Sequence, residues 1–497
     1  MDLRKRLNIS KAKYIILLWV AVLSLPSSAG FFDGVKDVLD KIPSPMQSNS
    51  STNAALVKVS ASDNGLPAHW QAYYLDEPEF KGKVFLAESG PKSAPVVILI
   101  HGLGQNGLRD WVSVVPALEK NYRVVLLDLP GFANSGQPSA KLDPTRYSNL
   151  IHFIKPYFSK APIAVVGHSM GGAVALRYAA SYPADVNHLL LVDAAGILQR
   201  TAFVKQNLTD RMAVQELEAI NPLLGFAAGL QDVSTFLVEK LLNLSDPTLW
   251  LGDSDLTWGT ALQSQPNINV ALGLMQEDFS RAIYELQQPV SIVWGGKDLV
   301  APLRTSQILA SNLKRASLTI IPEAAHMPMY SHTEQFNKWL KNSLDNDQGY
   351  ARGTETLALD QFAKPENYSC NNKAGEVITG SFNQITISDC TGVNLQHVNA
   401  KNIVIKNSVV QMNDVTVLDP AVSLNISEST LLATASTFNG NIAVEHSRLD
   451  MAGVNFRGEK PFTIGVQSRL ILSVSRTQFN GSVRYLHQDL LLEKTQY

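Results

Sequence analysis

A surplus of charge of either sign is missing. The chain has 42 Lys and Arg against 44 Asp and Glu, a formal charge of -2, which leaves no electrostatic basis for nucleic-acid binding. Long apolar runs are scarce as well: YIILLWVAVLSL, from Tyr14 to Leu25, is about a dozen residues where a spanning helix needs about 20. Cysteine is nearly absent. None stands just after that apolar run, where a lipoprotein anchor would need one, and the only two are Cys370 and Cys390. The C-terminal third also lacks the carboxylate cluster that a polysaccharide-cleaving site would need.

The flanks of the apolar run explain it. Arg4, Lys5, Arg6, Lys11 and Lys13 precede it, and LPSSA with Ser27 and Ala29 follows. This is the layout of a secretory signal peptide over residues 1–29, cleaved after Ala29, so the protein is expected to be exported to a periplasmic, cell-surface or extracellular location. A retained membrane anchor is the alternative. Residues 30–60 read as a short helix and a linker. Phe31, Val35, Val38 and Ile42 share a helical face, and the polar face is not basic enough to favour a membrane surface over packing on the protein body. PSPMQSNSSTN, residues 43–53, is the linker.

A hydrophobic fraction of 45% supports packed cores, and the length allows two or three domains. From about residue 69 strands alternate with helical segments, the pattern of an α/β domain with a mostly parallel sheet. In VVGHSMGGAV, residues 165–174, Ser169 stands between glycines, after an apolar run and before an alanine-rich helix former. Strand, sharp turn and helix is the setting of a nucleophile elbow; the glycines let strand and helix approach closely. That reading requires partners elsewhere. Upstream, VVILI ends in His101, Gly102, Leu103 and Gly104, a turn able to present backbone N–H groups to a developing oxyanion. Asp128, closing YRVVLLD, reads as a structural hydrogen-bonding residue. Downstream, PVSIVWGGKD ends at Asp298 and SLTIIPEAAHMP carries His326, both just past strand ends where a parallel sheet gathers its site.

HGLG, DLPGFANS, GHSMGG, GGKD and AHMP, in that order, make the segment from Tyr73 to Leu340 resemble the α/β-hydrolase superfamily, of the serine esterase or lipase-like kind. The resemblance implies Ser169 as nucleophile, His326 as general base and acid, Asp298 as the group that orients the imidazolium, and the N–H groups of Leu103 and Met170 as the oxyanion hole. It implies no cofactor and no metal. Ala325 departs from the glycine frequent before the histidine in relatives. Asp193, in LLLVDAAG, is a rival for the acid, and GGKD favours Asp298. His101 and His168 are expected to be structural or positioning residues. Related dehalogenases and epoxide hydrolases use aspartate at the elbow, so Ser169 favours acyl transfer to water, from esters or thioesters. Residues 197–288 resemble the family's helical cap. NPLLGFAAGL, VSTFLVEKLLNL, PTLWLG and VALGLM imply an apolar pocket for a small-molecule or lipid ester. Carbon–carbon bond hydrolysis would use the same residues. An extracytoplasmic binding or adhesion protein with a secondary hydrolase-like domain is the reading from another class.

After Asn342 the composition changes. Ser388, Ser408, Ser429, Ser447 and Ser468 recur at steps of 20, 21, 18 and 21 residues, with Phe438, Phe456 and Phe479 in phase. Repeats near 20 residues with short alternating runs predict an all-β, parallel β-solenoid domain over residues 346–497, following a hydrolase domain over 61–345. A β-sandwich is the alternative. Cys370 and Cys390 lie 20 residues apart, one coil, so stacking would bring them near the strand spacing of about 4.8 Å and within reach of a disulfide. Glycan or protein binding, cell-surface contact and mere stabilisation of its neighbour are the roles open to this domain, and membrane or cell-surface association is open to the protein as a whole. Every residue assigned to catalysis precedes it, so truncation near residue 345 is expected to leave hydrolysis of a small ester intact.

Overall fold

The computed structural model describes residues 55–202, 254–345 and 366–492. The signal segment, the residue 31–42 helix, the 43–53 linker and three of the four cap stretches (all but VALGLM) lie outside the described residues.

The first body is a nine-stranded sheet. Its strands are β1 (Val57–Val59), β2 (Gln71–Glu77), β3 (Gly82–Ser89), β4 (Val96–Ile100), β5 (Arg123–Asp128), β6 (Ile163–His168), β7 (Val186–Val192), β8 (Val290–Gly295) and β9 (Ala316–Ile321). Their spatial order is β1-β2-β3-β5-β4-β6-β7-β8-β9. β1, β2, β3 and β5 pair antiparallel in succession, and every pairing from β5 onward is parallel. Helices account for the strand composition: VVILI of β4 is buried at every position, as a strand covered on both faces must be. The helices are α1 (Val115–Leu118), α2 (Pro144–Ile154), α3 (Met170–Ser181), α4 (Asp255–Leu262), α5 (Pro266–Met275), α6 (Ser280–Glu285), α7 (Leu303–Asn312), α8 (Pro328–Ser331) and α9 (Thr333–Asp345), of which α3 packs on β6, β7 and β4, α7 on β8 and β9, and α1 on β5. Of the expected cap, residues 197–202 and 254–288 are described; they include α4, α5 and α6, and VALGLM is the C-terminal end of α5.

The second body is all-β. It runs through β10 (Tyr368–Asn371), β11 (Val377–Ser388), β12 (Val393–Lys406), β13 (Val409–Val417), β14 (Val422–Ser427), β15 (Thr430–Thr434), β16 (Thr437–Phe438), β17 (Asn441–Glu445), β18 (Arg448–Ala452), β19 (Asn455–Arg457), β20 (Phe462–Ile464), β21 (Ser468–Phe479) and β22 (Ser482–Leu492). All pairings from β10 to β21 are parallel, and β22 alone folds back antiparallel on β21. The repeat is visible as register: Val409 pairs with Thr430, Thr430 with Arg448 and Arg448 with Arg469. Long strands bridge a corner, β13 pairing with β15 and β16 and β21 with β18 and β19, so β13, β15, β18, β21, β19 and β16 close into a ring of six. Alternate residues of β12 point inward, the period of two that a strand with one buried face requires.

Three details of the repeat differ from expectation. The serines do stack, through side chains that each bond a backbone N–H of the preceding coil, but the first member is Cys390, whose N–H donates to Ser408 Oγ at 2.9 Å, and not Ser388. Phe438 and Phe456 pair and stack with ring centroids 6.2 Å apart, whereas Phe456 pairs with Thr477 and Phe479 lies in the hairpin into β22. Cys370 and Cys390 form a disulfide with Cα atoms 6.7 Å apart. That exceeds one strand spacing because Cys370 pairs with Ile387, three residues before Cys390.

The two bodies share a core. Ala452, Ile471 and Val474 of the coils pack in the same apolar cluster as Ile308 and Leu309 of α7 and Ile283 of α6.

Candidate active site

Ser169 sits at the junction of β6 and α3 with φ 52° and ψ -119°, a conformation costly for any residue with a side chain. Close packing enforces it. A Cβ on Gly167 would overlap the Gly171 carbonyl, and one on Gly171 would overlap the Ile100 and His101 carbonyls. A Cβ on Gly172 would stand 2.6 Å from Ala194 Cβ. The three glycines therefore let the turn nest between β4 and β7, leaving Ser169 at the carboxyl ends of the parallel strands.

β8 and β9 bring the other two residues to the same edge. His326 Nε2 lies 2.9 Å from Ser169 Oγ, and His326 Nδ1 lies 2.8 Å from Asp298 Oδ2. Asp298 is buried, and its second oxygen accepts the N–H groups of Val300 at 2.7 Å and Ala301 at 3.0 Å. Those amides fix the carboxylate plane, so the free oxygen aims at the imidazole. With Nδ1–H donating to Asp298, Nε2 is left as the acceptor for the serine proton, the tautomer a general base requires. Ala325 has no positive φ, so its methyl group is tolerated where relatives have glycine.

Asp193, the rival acid, ends β7 and comes close: one ligand atom from each of Asp193, Asp298 and His326 falls within 4.8 Å of the others. Its backbone is strained, φ 44°. Its Oδ1 accepts the Gly295 N–H at 2.7 Å, and its Oδ2 is buried without a donor. Burial, then the adjacent Asp298 carboxylate, push its pKa well above the usual carboxylate range. A neutral Asp193 carboxyl can donate its proton to Asp298, which makes it a support for the acid. The same three residues could offer ligand atoms to a metal, but the imidazole Nδ1 and both Asp298 oxygens are already committed to hydrogen bonds.

The turn after β4 abuts the serine: a Cβ on Gly102 would stand 3.1 Å from Ser169 Cβ. Leu103 is the next residue, and Met170 opens α3, whose first-turn N–H groups have no partner within the helix. Both N–H groups assigned to the oxyanion hole thus belong to segments flanking the nucleophile.

His168, which reads from sequence as a structural or positioning residue, donates from Nε2 to the His326 carbonyl at 2.7 Å, tying the nucleophile's strand to the base's loop. Burial first, then His326, lower its pKa to about 3, so the ring is neutral. His101 is buried, its pKa lowered by burial to about 4. Its Nδ1 donates to the Gly102 carbonyl at 2.7 Å and its Nε2 accepts the Leu129 N–H at 3.0 Å. Asp128 accepts the N–H groups of Leu108 at 2.7 Å and Asn134 at 3.0 Å, the structural part expected of it; burial raises its pKa to about 6.

A cavity of about 380 Å³ opens beside the oxyanion turn, lined by residues including Gly104, Gln105, Phe132, Gln137, Gln265 and Asn267. The lining comes from loops after β4 and β5 and from the start of α5, and the leucine-rich cap stretches lie outside the described residues.

Residues 95–333 match the α/β hydrolase fold family. Over 254 residues the chain is 28% identical to human monoacylglycerol lipase ABHD6, covering 48% of this chain and 71% of that protein. It is 27% identical over 259 residues to the pimeloyl-acyl-carrier-protein methyl ester esterase of Aeromonas hydrophila, covering 49% of this chain and 92% of the esterase. Among solved structures it is similar to a membrane phospholipase A described as a bacterial virulence factor, with a TM-score of 0.41 and 22% identity over 67% of this chain and 97% of that one. Residues 95–333 carry the α/β-hydrolase fold.

Proposed function

We propose that the protein is an exported serine hydrolase that cleaves carboxylic esters through an acyl-enzyme. The observation that carries this is the continuous relay from Asp298 through His326 to Ser169, at 2.8 and 2.9 Å. Ser169 Oγ attacks the ester carbonyl while His326 Nε2 takes its proton. The tetrahedral oxyanion is held by the N–H groups of Leu103 and Met170. His326 then protonates the departing alcohol, and a water activated by the same nitrogen releases the acid. Two relatives named for ester cleavage, a monoacylglycerol lipase and a methyl ester esterase, support carboxylic esters as the substrate class. Export rests on the signal-like residues 1–29.

The test is Ser169→Ala on p-nitrophenyl esters of graded chain length. Loss of a triad serine costs about a millionfold in kcat, and circular dichroism should be unchanged. Retention of a tenth of the wild-type rate would overturn the assignment.

A further inference from the structure

Asp298 opens the loop between β8 and α7, and α7 carries that loop into contact with the coils. Arg304, the second residue of α7, has its guanidinium sunk in the C-terminal domain, with a side chain 6% exposed. Nε donates to Thr434 Oγ1 at 2.8 Å, one terminal nitrogen to Asp450 Oδ1 at 2.9 Å, and the other to the carbonyls of Ala433 at 2.8 Å and Asp450 at 3.3 Å. Each acceptor lies on β15 or β18. A buried ion pair of this kind adds little net stability; its planar fork of donors fixes a geometry.

The far end of α7 is pinned too. Asn312 Nδ2 donates to the Gly453 carbonyl at 3.2 Å, and a Cβ on Gly453, whose φ is 65°, would come within 2.6 Å of that nitrogen. The short stretch back to the acid has little slack. Val300 and Ala301 bond Asp298, Trp294 Nε1 donates to the Ala301 carbonyl at 3.0 Å, and the Thr305 N–H donates to the Pro302 carbonyl at 2.8 Å.

Two further hydrolase segments rest on the same domain. Leading toward residue 203, the Gln199 N–H donates to Ser473 Oγ at 3.0 Å and Thr201 Oγ1 to Asp489 Oδ2 at 2.7 Å. On α6, Tyr284 donates to the Val474 carbonyl at 3.1 Å and lies under the Arg476 guanidinium, 4.2 Å from its ring centroid.

We propose that the C-terminal domain is a positioning element of the active site, and that Arg304, held by Asp450 and Thr434, is the residue through which it sets the Asp298 loop. The proposal rests on Asp298 acting as the triad acid in the reading above. Asp298 sets the orientation of the imidazole, and a misplacement of about 1 Å in such a group costs about a hundredfold in rate. The expectation that hydrolysis survives removal of residues after 345 is therefore replaced by its opposite.

The experiment uses the full chain with Arg304→Lys, which keeps the charge opposite Asp450 and loses the fork, and Thr434→Val, which removes one bond. Four quantities are read: kcat and KM on p-nitrophenyl acetate, the rate at which a fluorophosphonate labels Ser169, and the melting temperature. For Arg304→Lys, kcat and the labelling rate should fall together by about tenfold or more while KM stays within about twofold. Thr434→Val should move the same two quantities in the same direction by less. Variants that melt earlier yet keep wild-type kcat and labelling rate would overturn the proposal. If Arg304→Lys fails to fold, an unchanged labelling rate in Thr434→Val does so alone. Ser169→Ala separates the two readings: activity retained there sinks the nucleophile assignment, whereas an inactive Ser169→Ala beside full-rate Arg304 and Thr434 variants sinks only the positioning role.

Discussion

The hydrolase sheet and the coils bury polar groups in opposite ways. In the sheet each buried polar side chain is a single instance with a role of its own. His101 bridges Gly102 and Leu129, Asp128 collects two loop amides, His168 ties down the His326 loop, and Asp298 faces the imidazole. In the coils one device repeats: Ser408, Ser429, Ser447 and Ser468 each accept a backbone N–H from the preceding coil. A repeated polar contact fixes register at many equivalent points, and a singular one sets the geometry of one reacting group. Damage to the singular contacts around the site should therefore appear as rate, and damage to the serine ladder as stability.

The largest effect that sharpens this contrast comes from the two aspartates behind His326. Asp298→Asn should lower kcat by about 10⁴-fold, because the imidazole loses the partner that holds its working tautomer. Asp193→Asn should leave kcat within about tenfold, since an amide also donates to Asp298 and adds no charge. Steady-state kinetics on one ester decides it, and a larger loss at Asp193 would reverse the two roles. The pair also separates by pH. Asp193 has its folded pKa raised, so its contribution to stability is complete below the unfolded value of about 3.9 and is lost as pH rises toward the folded value. Denaturant titrations from about pH 4 upward should show wild type losing ground to Asp193→Asn.

What the sequence made legible follows from the same contrast. The serine turn, GGKD and AHMP could be read because strand ends, glycines and reactive residue types coincide locally. The raised pKa of Asp193 could not, because it depends on burial and then on a neighbour 105 residues away in the chain that only sheet order brings close. Arg304 carried no signal at all: nothing in APLRTS says that its guanidinium enters another domain. In the coils the period was readable and its phase was not. Ser388 shares the spacing, yet Cys390 holds the first ladder position, and Phe479 fits the count but ends β21 at the hairpin, paired with Ser482.

A smaller break tests the open end of the coils. The Cys370–Cys390 disulfide closes a loop of 20 residues, for which the chain-entropy model gives about 3 kcal/mol. The double replacement Cys370→Ala with Cys390→Ala should lower stability by about that amount in denaturant titration, with ester turnover unchanged in the folded protein, because neither cysteine lies on β15, β18 or α7. Free thiols at both positions in the native protein would count against the bond.

The smallest effect concerns the serine ladder and is graded along it. Ser429 Oγ accepts the Ser408 N–H at 3.0 Å and donates to the Ser427 carbonyl at 2.6 Å, and Ser429 itself is buried. Ser429→Ala leaves the Ser408 N–H without a partner where water does not reach, a cost of about 1–3 kcal/mol. Ser468 occupies the equivalent position one rung from the end, but its two bonds are longer, 3.4 Å from the Ser447 N–H and 3.3 Å to the Val466 carbonyl. Hydrogen bonds weaken with length, so Ser468→Ala should cost less than Ser429→Ala, about 1 kcal/mol or below. Thermal or denaturant unfolding of the two single variants measures the difference directly. A Ser468 variant as destabilised as the Ser429 variant would mean that the ladder bonds are not what stabilises the stack, and that the apolar interior of the coils does that work unaided.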